Sequence, residues 1–299
     1  MLSRLLRLLL LFELFAYLAG GLFLVKIFGW RSGSVILLVI FLALAWRASV
    51  MLATYLFEFA QPTHVSDGQA MDVGRGVLEG LREIGAFIAL SVVCAFDRMF
   101  LRTDETSLLS SDQAPMLLVH GYCCNRGFWW WLKPHLEARG RSVATISLEP
   151  LFGNIDGYAE QVARGVDDLC RDSGADQVVL VGHSMGGLVC RAYLRRYGEG
   201  RVARLVTLGT PHRGSLLSRF APGRNARQME PGNPWLRELE LSPLLVPCIA
   251  FHSTHDNFVM PQAAAMLMGA DNRPLPAVGH MAMSIAPLVL AALLEATSG

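Results

Sequence analysis

The sequence predicts an α/β protein: a doubly wound, mostly parallel sheet with a cap-like insertion, preceded by amino-terminal transmembrane helices. Three observations carry this. From Pro115 onward, short apolar runs alternate with longer amphipathic stretches, the rhythm of βαβ crossovers. Before that, the first 60 residues are almost wholly apolar. Between the two lies a polar, glycine-containing stretch. The chain has 299 residues, 53% of them hydrophobic. Its formal net charge of +1 argues against a nucleic-acid binder, which needs a basic face.

Taking the elements in order, Leu5–Phe28 is interrupted only by Arg7, Glu13 and Lys26. About 24 residues at about 1.5 Å each span a bilayer's hydrocarbon core. The run is too long for a signal-peptide apolar region, and no small-residue cleavage site follows cleanly. Phe28–Gly33 reads as an interfacial turn. Val35–Phe59 is a second run, with Arg47 near its middle and Glu58 near its end. A charge at mid-membrane costs about 2.5–3.5 kcal/mol on insertion scales. Arg47 therefore either snorkels, marks an interfacial helix, or faces the first helix, where Glu13 is its candidate partner. The competing reading is two buried helices of a soluble fold. Residues 1–60 are thus expected to be a membrane anchor of one or two helices. Arg4 and Arg7 favour a cytoplasmic amino terminus, but Lys26 and Arg31 load the other side almost equally. A hairpin keeps both the amino terminus and the following domain in the cytoplasm, and a single span puts that domain outside.

Residues 61–114 read as a linker with an interfacial helix. Gln61–Gly80 is polar, and Ile84–Phe96 is apolar but short for a span, which predicts a helix lying on the membrane or on the domain. Thr103–Ala114 marks the boundary. Residues 115–299 form the main domain, with strands at Met116–His120, Ser142–Leu148, Gln177–Val181, Val202–Leu208 and Pro247–His252. Helices fall at Trp129–Arg139, Ile155–Asp172, Leu188–Tyr197 and Ile285–Ala296. In Ile155–Asp172 the apolar residues Ile155, Tyr158, Val162, Val166 and Leu169 recur at helical spacing. Arg213–Leu245 carries Pro222, Pro231, Pro234 and Pro243, is too long for an ordinary loop, and is expected to be a cap.

Gly182-His183-Ser184-Met185-Gly186 stands between the strand Gln177–Val181 and a helix. This is G-x-S-x-G in the strand–turn–helix context that gives it meaning: glycines two before and two after clear the space a strained, nucleophilic serine needs. A serine hydroxyl is a poor nucleophile at neutral pH, so it needs a base and an acid that orients the base. Asp256 follows the strand Pro247–His252, and His280 stands just before the closing helix. Asp271 competes for the acid role, because it too precedes His280. His212, His252 and His255 are the weaker rivals of His280. The oxyanion needs backbone N–H donors, for which Met185, directly after the serine, and Tyr122, in the turn after the first strand, are the candidates. Phe128 is followed by Trp129, Trp130 and Trp131. Three consecutive tryptophans on a helix cannot share one face, so at least one is expected to be exposed, docking an acyl chain or the bilayer.

Six cysteines, at 94, 123, 124, 170, 190 and 248, make no C-x-x-C pair, and no Cys/His spacing suggests a metal site. Usage leans to reduced thiols.

Together His120-Gly121, Gly182–Gly187, Gly209-Thr210-Pro211-His212-Arg213-Gly214 and Asp256-Asn257-Phe258-Val259 resemble a bacterial triacylglycerol lipase or esterase of the α/β-hydrolase superfamily. The resemblance covers roughly residues 115–299, and Gln228-Met229-x-Pro231-Gly232 looks like the lid segment of such lipases. It implies carboxylic-ester hydrolysis through an acyl-enzyme on Ser184, with lipid or ester substrates and no metal or organic cofactor. With the apolar amino terminus it also implies a bilayer partner, at the bacterial inner membrane. Secreted lipases have no such anchor, and no calcium-site pattern is present. An acyltransferase or thioesterase uses the same triad, and a catalytically inactive membrane scaffold is the reading from another class.

Overall fold

A computed structural model describes residues 1–60, 73–101 and 113–298. Most of the expected linker, at 61–72, and of the boundary stretch, at 102–112, lies outside the described residues.

Two helices, α1 (Leu2–Phe28) and α2 (Ser32–Phe59), open the chain, and Gly29 closes α1 in the left-handed conformation at φ 67°. Both are long and apolar enough to cross a membrane, yet only 6% and 11% of their most apolar windows are buried. Core helices of a soluble fold bury most of their length, and these two do not. Arg47 does find Glu13: its two terminal guanidinium nitrogens donate to the two carboxylate oxygens at 2.8 Å each. This bidentate pairing is the arrangement that makes a charge tolerable among apolar helices. Both outer ends of the hairpin rest on the rest of the protein. Ser3 donates to Asp97 Oδ1 at 2.9 Å, and Thr54 Oγ1 accepts from Asn257 at 2.7 Å.

Helix α3 (Val73–Val93) begins inside the stretch whose polarity suggests a linker. It buries Ala86 and Leu90 against the main domain and leaves Val77, Leu78 and Leu81 exposed. It therefore lies on the domain. The short α4 (Asp97–Phe100) follows, and Asp97 pairs there with Arg126 at 3.0 Å.

Six parallel strands make one sheet in the order β2-β1-β3-β4-β5-β6. They are β1 (Met116–Val119), β2 (Val143–Ile146), β3 (Val178–His183), β4 (Val202–Leu208), β5 (Cys248–His252) and β6 (Asp271–Pro274). The helices are α5 (Leu132–Glu137), α6 (Ile155–Ser173), α7 (Met185–Tyr197), α8 (Arg224–Gln228), α9 (Pro234–Leu241) and α10 (Pro287–Thr297). Strand alternation serves two cores. Leu117, Val119, Val178 and Leu180 face α6 and α7, while Met116, Leu118, Val179 and Val181 face α5, α10 and α3. From β1 the chain goes one way to β2 and then returns to the other side, to β3. This switch point opens a crevice between the carboxyl ends of β1 and β3, where ligands of open α/β sheets bind. All six cysteines are free thiols.

Strand β6 escapes sequence reading because Asp-Asn-Arg-Pro shows no apolar alternation. It is a polar edge strand, none of its residues buried, held by backbone pairing to β5. The 213–245 segment carries a short 3₁₀ turn, α8 and α9, and has no strand.

Candidate active site

Ser184 lies at the mouth of that crevice, directly after β3 and before α7, with φ 55° and ψ −128°. An L-residue is strained there, so tight surroundings must impose the turn. The glycines make those surroundings possible. A Cβ on Gly182 would fall 2.5 Å from Gly187 Cα, and one on Gly186 would collide with the Val119 carbonyl. Ser184 N–H donates to Leu208 O at 2.8 Å, tying the turn to β4.

Met185 opens α7, so its N–H has no partner in the helix's own ladder and lies at the positive end of the helix dipole. The turn after β1 presses on the serine: a Cβ on Gly121 would come 2.7 Å from Ser184 Cβ. The Tyr122 peptide is the next in line. His120 locks this turn, with Nδ1–H donating to Gly121 O at 2.8 Å and Nε2 accepting from Leu148 N–H at 2.9 Å. Burial pulls its pKa down to about 4, so this imidazole is neutral. The Tyr122 hydroxyl donates to Pro222 O at 2.6 Å, joining the turn to the 213–245 insertion. From the same insertion Asn225, fully buried, reaches Leu151 O at 3.1 Å and the Met185 sulfur at 3.6 Å. Gln228 accepts from Ile155 N–H at 2.8 Å, at the start of α6.

His280 and Asp256 meet in the structure, with Nδ1–H of the imidazole donating to Asp256 Oδ2 at 2.8 Å. The other carboxylate oxygen accepts from the Phe258 and Val259 N–H groups, both at 2.9 Å. Burial alone would push the imidazole pKa down. The Asp256 charge and hydrogen bond, with the Glu83 charge, outweigh it and hold His280 above its ordinary value. No described group bonds to His280 Nε2. The neighbouring His183 packs 4.6 Å from the His280 ring and donates through Nε2 to its carbonyl at 3.2 Å. Burial and the nearby His280 keep His183 neutral. Asp271 belongs to β6 and pairs with Arg273 at 2.8 Å, so it is not the partner of His280.

The tryptophans correct an expectation. None of Trp129, Trp130 and Trp131 is exposed. Residues 126–129 form a 3₁₀ turn, so the three do not lie along one helix. Trp129 is fully buried against Phe128, with ring centroids 5.0 Å apart. Trp130 packs edge-on to Phe100 at 6.2 Å, and Trp131 stacks on His135 at 4.1 Å. Helices α3 and α4, from earlier in the chain, pack on this turn and cover part of the face. Trp129→Ala is therefore expected to destabilise the protein by about 3–5 kcal/mol. Denaturant unfolding measures this, and specific activity per folded molecule should fall equally for short and long acyl esters. A selective loss on long chains would restore the docking role.

Sequence reasoning missed the groups that brace the two loops. Glu83 Oε1 accepts from Met281 N–H and Oε2 from Ala282 N–H, both at 2.8 Å. Glu58 Oε1 accepts from Gln262 at 2.5 Å, and the same amide donates to Asp256 O at 3.2 Å. These come from helices more than 170 residues upstream of Asp256, across sequence separations such as 198 and 204. Only an intrahelical acidic residue in an apolar stretch hinted at them.

Comparison with known proteins agrees with the geometry. A family profile described as the alpha/beta hydrolase fold matches residues 114–254. A triacylglycerol lipase of Pseudarthrobacter phenanthrenivorans is 33% identical over 119 residues, 37% of each chain. One from Burkholderia plantarii is also 33% identical over 119 residues, 37% of this chain and 33% of that protein. The chain thus matches only about a third of these relatives' length. Methylesterase 8 of Arabidopsis thaliana is 35% identical over 140 residues, 44% of this chain and 49% of that protein. Among solved structures, the mature form of a Bacillus licheniformis lipase superposes with a TM-score of 0.58 at 17% identity, covering 66% of this chain and 95% of that one. Parallel sheet, strained serine turn, family profile and structural likeness together show that this chain carries the α/β-hydrolase fold, with lipases and esterases among the proteins it resembles.

Proposed function

We propose that the protein is a membrane-anchored serine hydrolase that cleaves carboxylic esters of lipid-like substrates through an acyl-enzyme on Ser184. One observation carries the reading: Ser184 is strained into the crevice next to two candidate oxyanion donors, while His280 is oriented by Asp256 at 2.8 Å. His280 Nε2 takes the Ser184 hydroxyl proton as Oγ attacks the ester carbonyl. The oxyanion is held by the Met185 and Tyr122 N–H groups. The alcohol leaves with the proton from His280. Water, deprotonated by His280, then attacks the acyl-serine, releases the acid and restores the serine. Asp256 keeps Nδ1 protonated, so that Nε2 is the nitrogen free to accept.

The membrane setting is supported by α1 and α2, which leave large apolar side chains such as Phe15, Leu37 and Trp46 exposed. Both outer ends of this hairpin contact the hydrolase domain, so the amino terminus and the active site share one side of the bilayer in this reading. The last turns of α2 touch the acid loop through Thr54 and Glu58, and Phe57 meets Phe220 of the insertion at 5.4 Å. The site therefore opens beside the foot of the anchor, where an ester can arrive from lipid.

The test is labelling of the full chain in detergent by a fluorophosphonate, followed by hydrolysis of short- and long-chain esters presented in vesicles. Labelling of Ser184 and release of free acid support the reading. Acyl transfer to an added alcohol in preference to water would make it an acyltransferase. No labelling at all would leave only a scaffold, and labelling elsewhere would remove Ser184 as the nucleophile.

A further inference from the structure

We propose that Glu83, on the helix that precedes the hydrolase domain, is a positioning residue for His280: its carboxylate fixes the 279–282 turn and lays a second negative charge beside the imidazole. The inference rests on the reading of His280 as the base.

Glu83 is fully buried on α3, and no Lys or Arg pairs with it among the described residues. A carboxylate without a counter-cation is expensive to bury, so it persists only where something strong answers it. Two backbone N–H groups do, Met281 and Ala282, immediately after His280. Gly279, immediately before His280, is fitted to the same group, since a Cβ there would collide with Glu83 Oε2. The carboxylate thus bonds the peptide after the histidine and packs against the residue before it. Facing it are His280 and Asp256 from the catalytic loops and Tyr55 from α2, and on its own helix Glu79 pairs with Arg82. Burial pushes the Glu83 pKa up to about 7, against the pull of the two N–H groups and of His280, so the carboxylate carries its charge above that pH and is held in that form most firmly when His280 is protonated.

The chemistry follows from charge. When His280 takes the Ser184 proton it becomes an imidazolium, held by Asp256 at Nδ1 and by the Glu83 charge behind the turn. The effect belongs to the charged, reacting state, so it acts on kcat more than on KM. A structural prop would not discriminate in this way.

The experiment compares wild type with E83Q, E83D and E83A as full chains in detergent. Competent sites are counted by fluorophosphonate titration, and kcat and KM on a soluble ester are followed across the pH range in which His280 titrates. Gln keeps the shape, removes the charge and turns one acceptor into a donor facing an N–H. E83Q is expected to lower kcat per competent site about tenfold with KM nearly unchanged. Losing the charge lowers the imidazole pKa, so the acidic limb of kcat/KM moves down by roughly half to one pH unit. E83D, which keeps the charge, should restore the limb more than the rate. Wild-type kcat and limb in E83Q overturn the proposal, even if its melting temperature falls. Should E83Q not fold, E83D decides: a limb displaced as far as in E83A overturns it. H280A separates the two levels of argument. If H280A stays active, the base assignment fails; if H280A is dead and E83Q is unchanged, only the role of Glu83 fails.

Discussion

Ser184→Ala is expected to lower kcat by about a millionfold and to abolish fluorophosphonate labelling, because removing the nucleophile of a cooperating triad costs nearly as much as removing the whole triad. The substitution deletes one hydroxyl and leaves the φ 55° turn, its bond to Leu208 and the helix start intact, so folding stability should barely change. Ser184→Gly makes a sharper version. It should be equally inactive yet more stable, by up to about 1–3 kcal/mol, since glycine relieves the strain an L-residue carries at this φ and ψ. Calorimetry or denaturant unfolding of the two variants checks this. Retained turnover in either variant would remove Ser184 from the mechanism, and equal stability of the two would remove the strain argument.

Asp256→Asn is expected to lower kcat at neutral pH by about ten-thousandfold. The reason lies in which atom does what. Oδ1 accepts from the Phe258 and Val259 N–H groups, so in the variant the amide oxygen must stay there. The amide NH₂ is then turned on His280 Nδ1, where the carboxylate oxygen accepted a proton. Nδ1 must become the acceptor, the ring proton moves to Nε2, and the base can no longer receive the serine proton. The acidic limb also moves. Hydrolysis needs neutral His280, whose pKa lies above its ordinary value chiefly because the Asp256 charge overcomes burial. Activity in the wild type is therefore lost as pH falls through that raised pKa. Without the charge, the residual activity persists to lower pH. A pH–rate profile reads both effects, and an unchanged limb would contradict the assignment.

Much of this was legible in the sequence because it is local. Gly182 and Gly186 must lie two residues either side of Ser184, since that spacing clears the collisions with Gly187 and the Val119 carbonyl. Helix α6 declares itself through Ile155, Tyr158, Val162, Val166 and Leu169, each of which is buried on one face. Strand β6 did not declare itself, because its stability comes from pairing with β5 rather than from its own side chains. Trp129 to Trp131 misled for a related reason. Their exposure depends on what covers them, and part of the cover is supplied by α3 and α4, from earlier in the chain.

The same division separates the two carboxylates next to His280. Asp256 could be read from its order after the serine and from the strand before it. Glu83 could not, because a lone acidic residue in an amphipathic helix is ordinarily solvated. Likewise, Glu13 and Arg47 could be suspected as a pair from their depth in two apolar runs, but facing each other requires the helices to pack in one rotation. What the sequence by itself determined is the set of elements, the serine turn and the order of the candidate residues, because each follows from backbone sterics and side-chain periodicity over a few residues. Only the tertiary structure decided which acid meets His280, which aromatic groups are buried, and that α2 and α3 brace the loops of the site. Those outcomes depend on which distant surfaces exclude water together, and neither composition nor spacing records that.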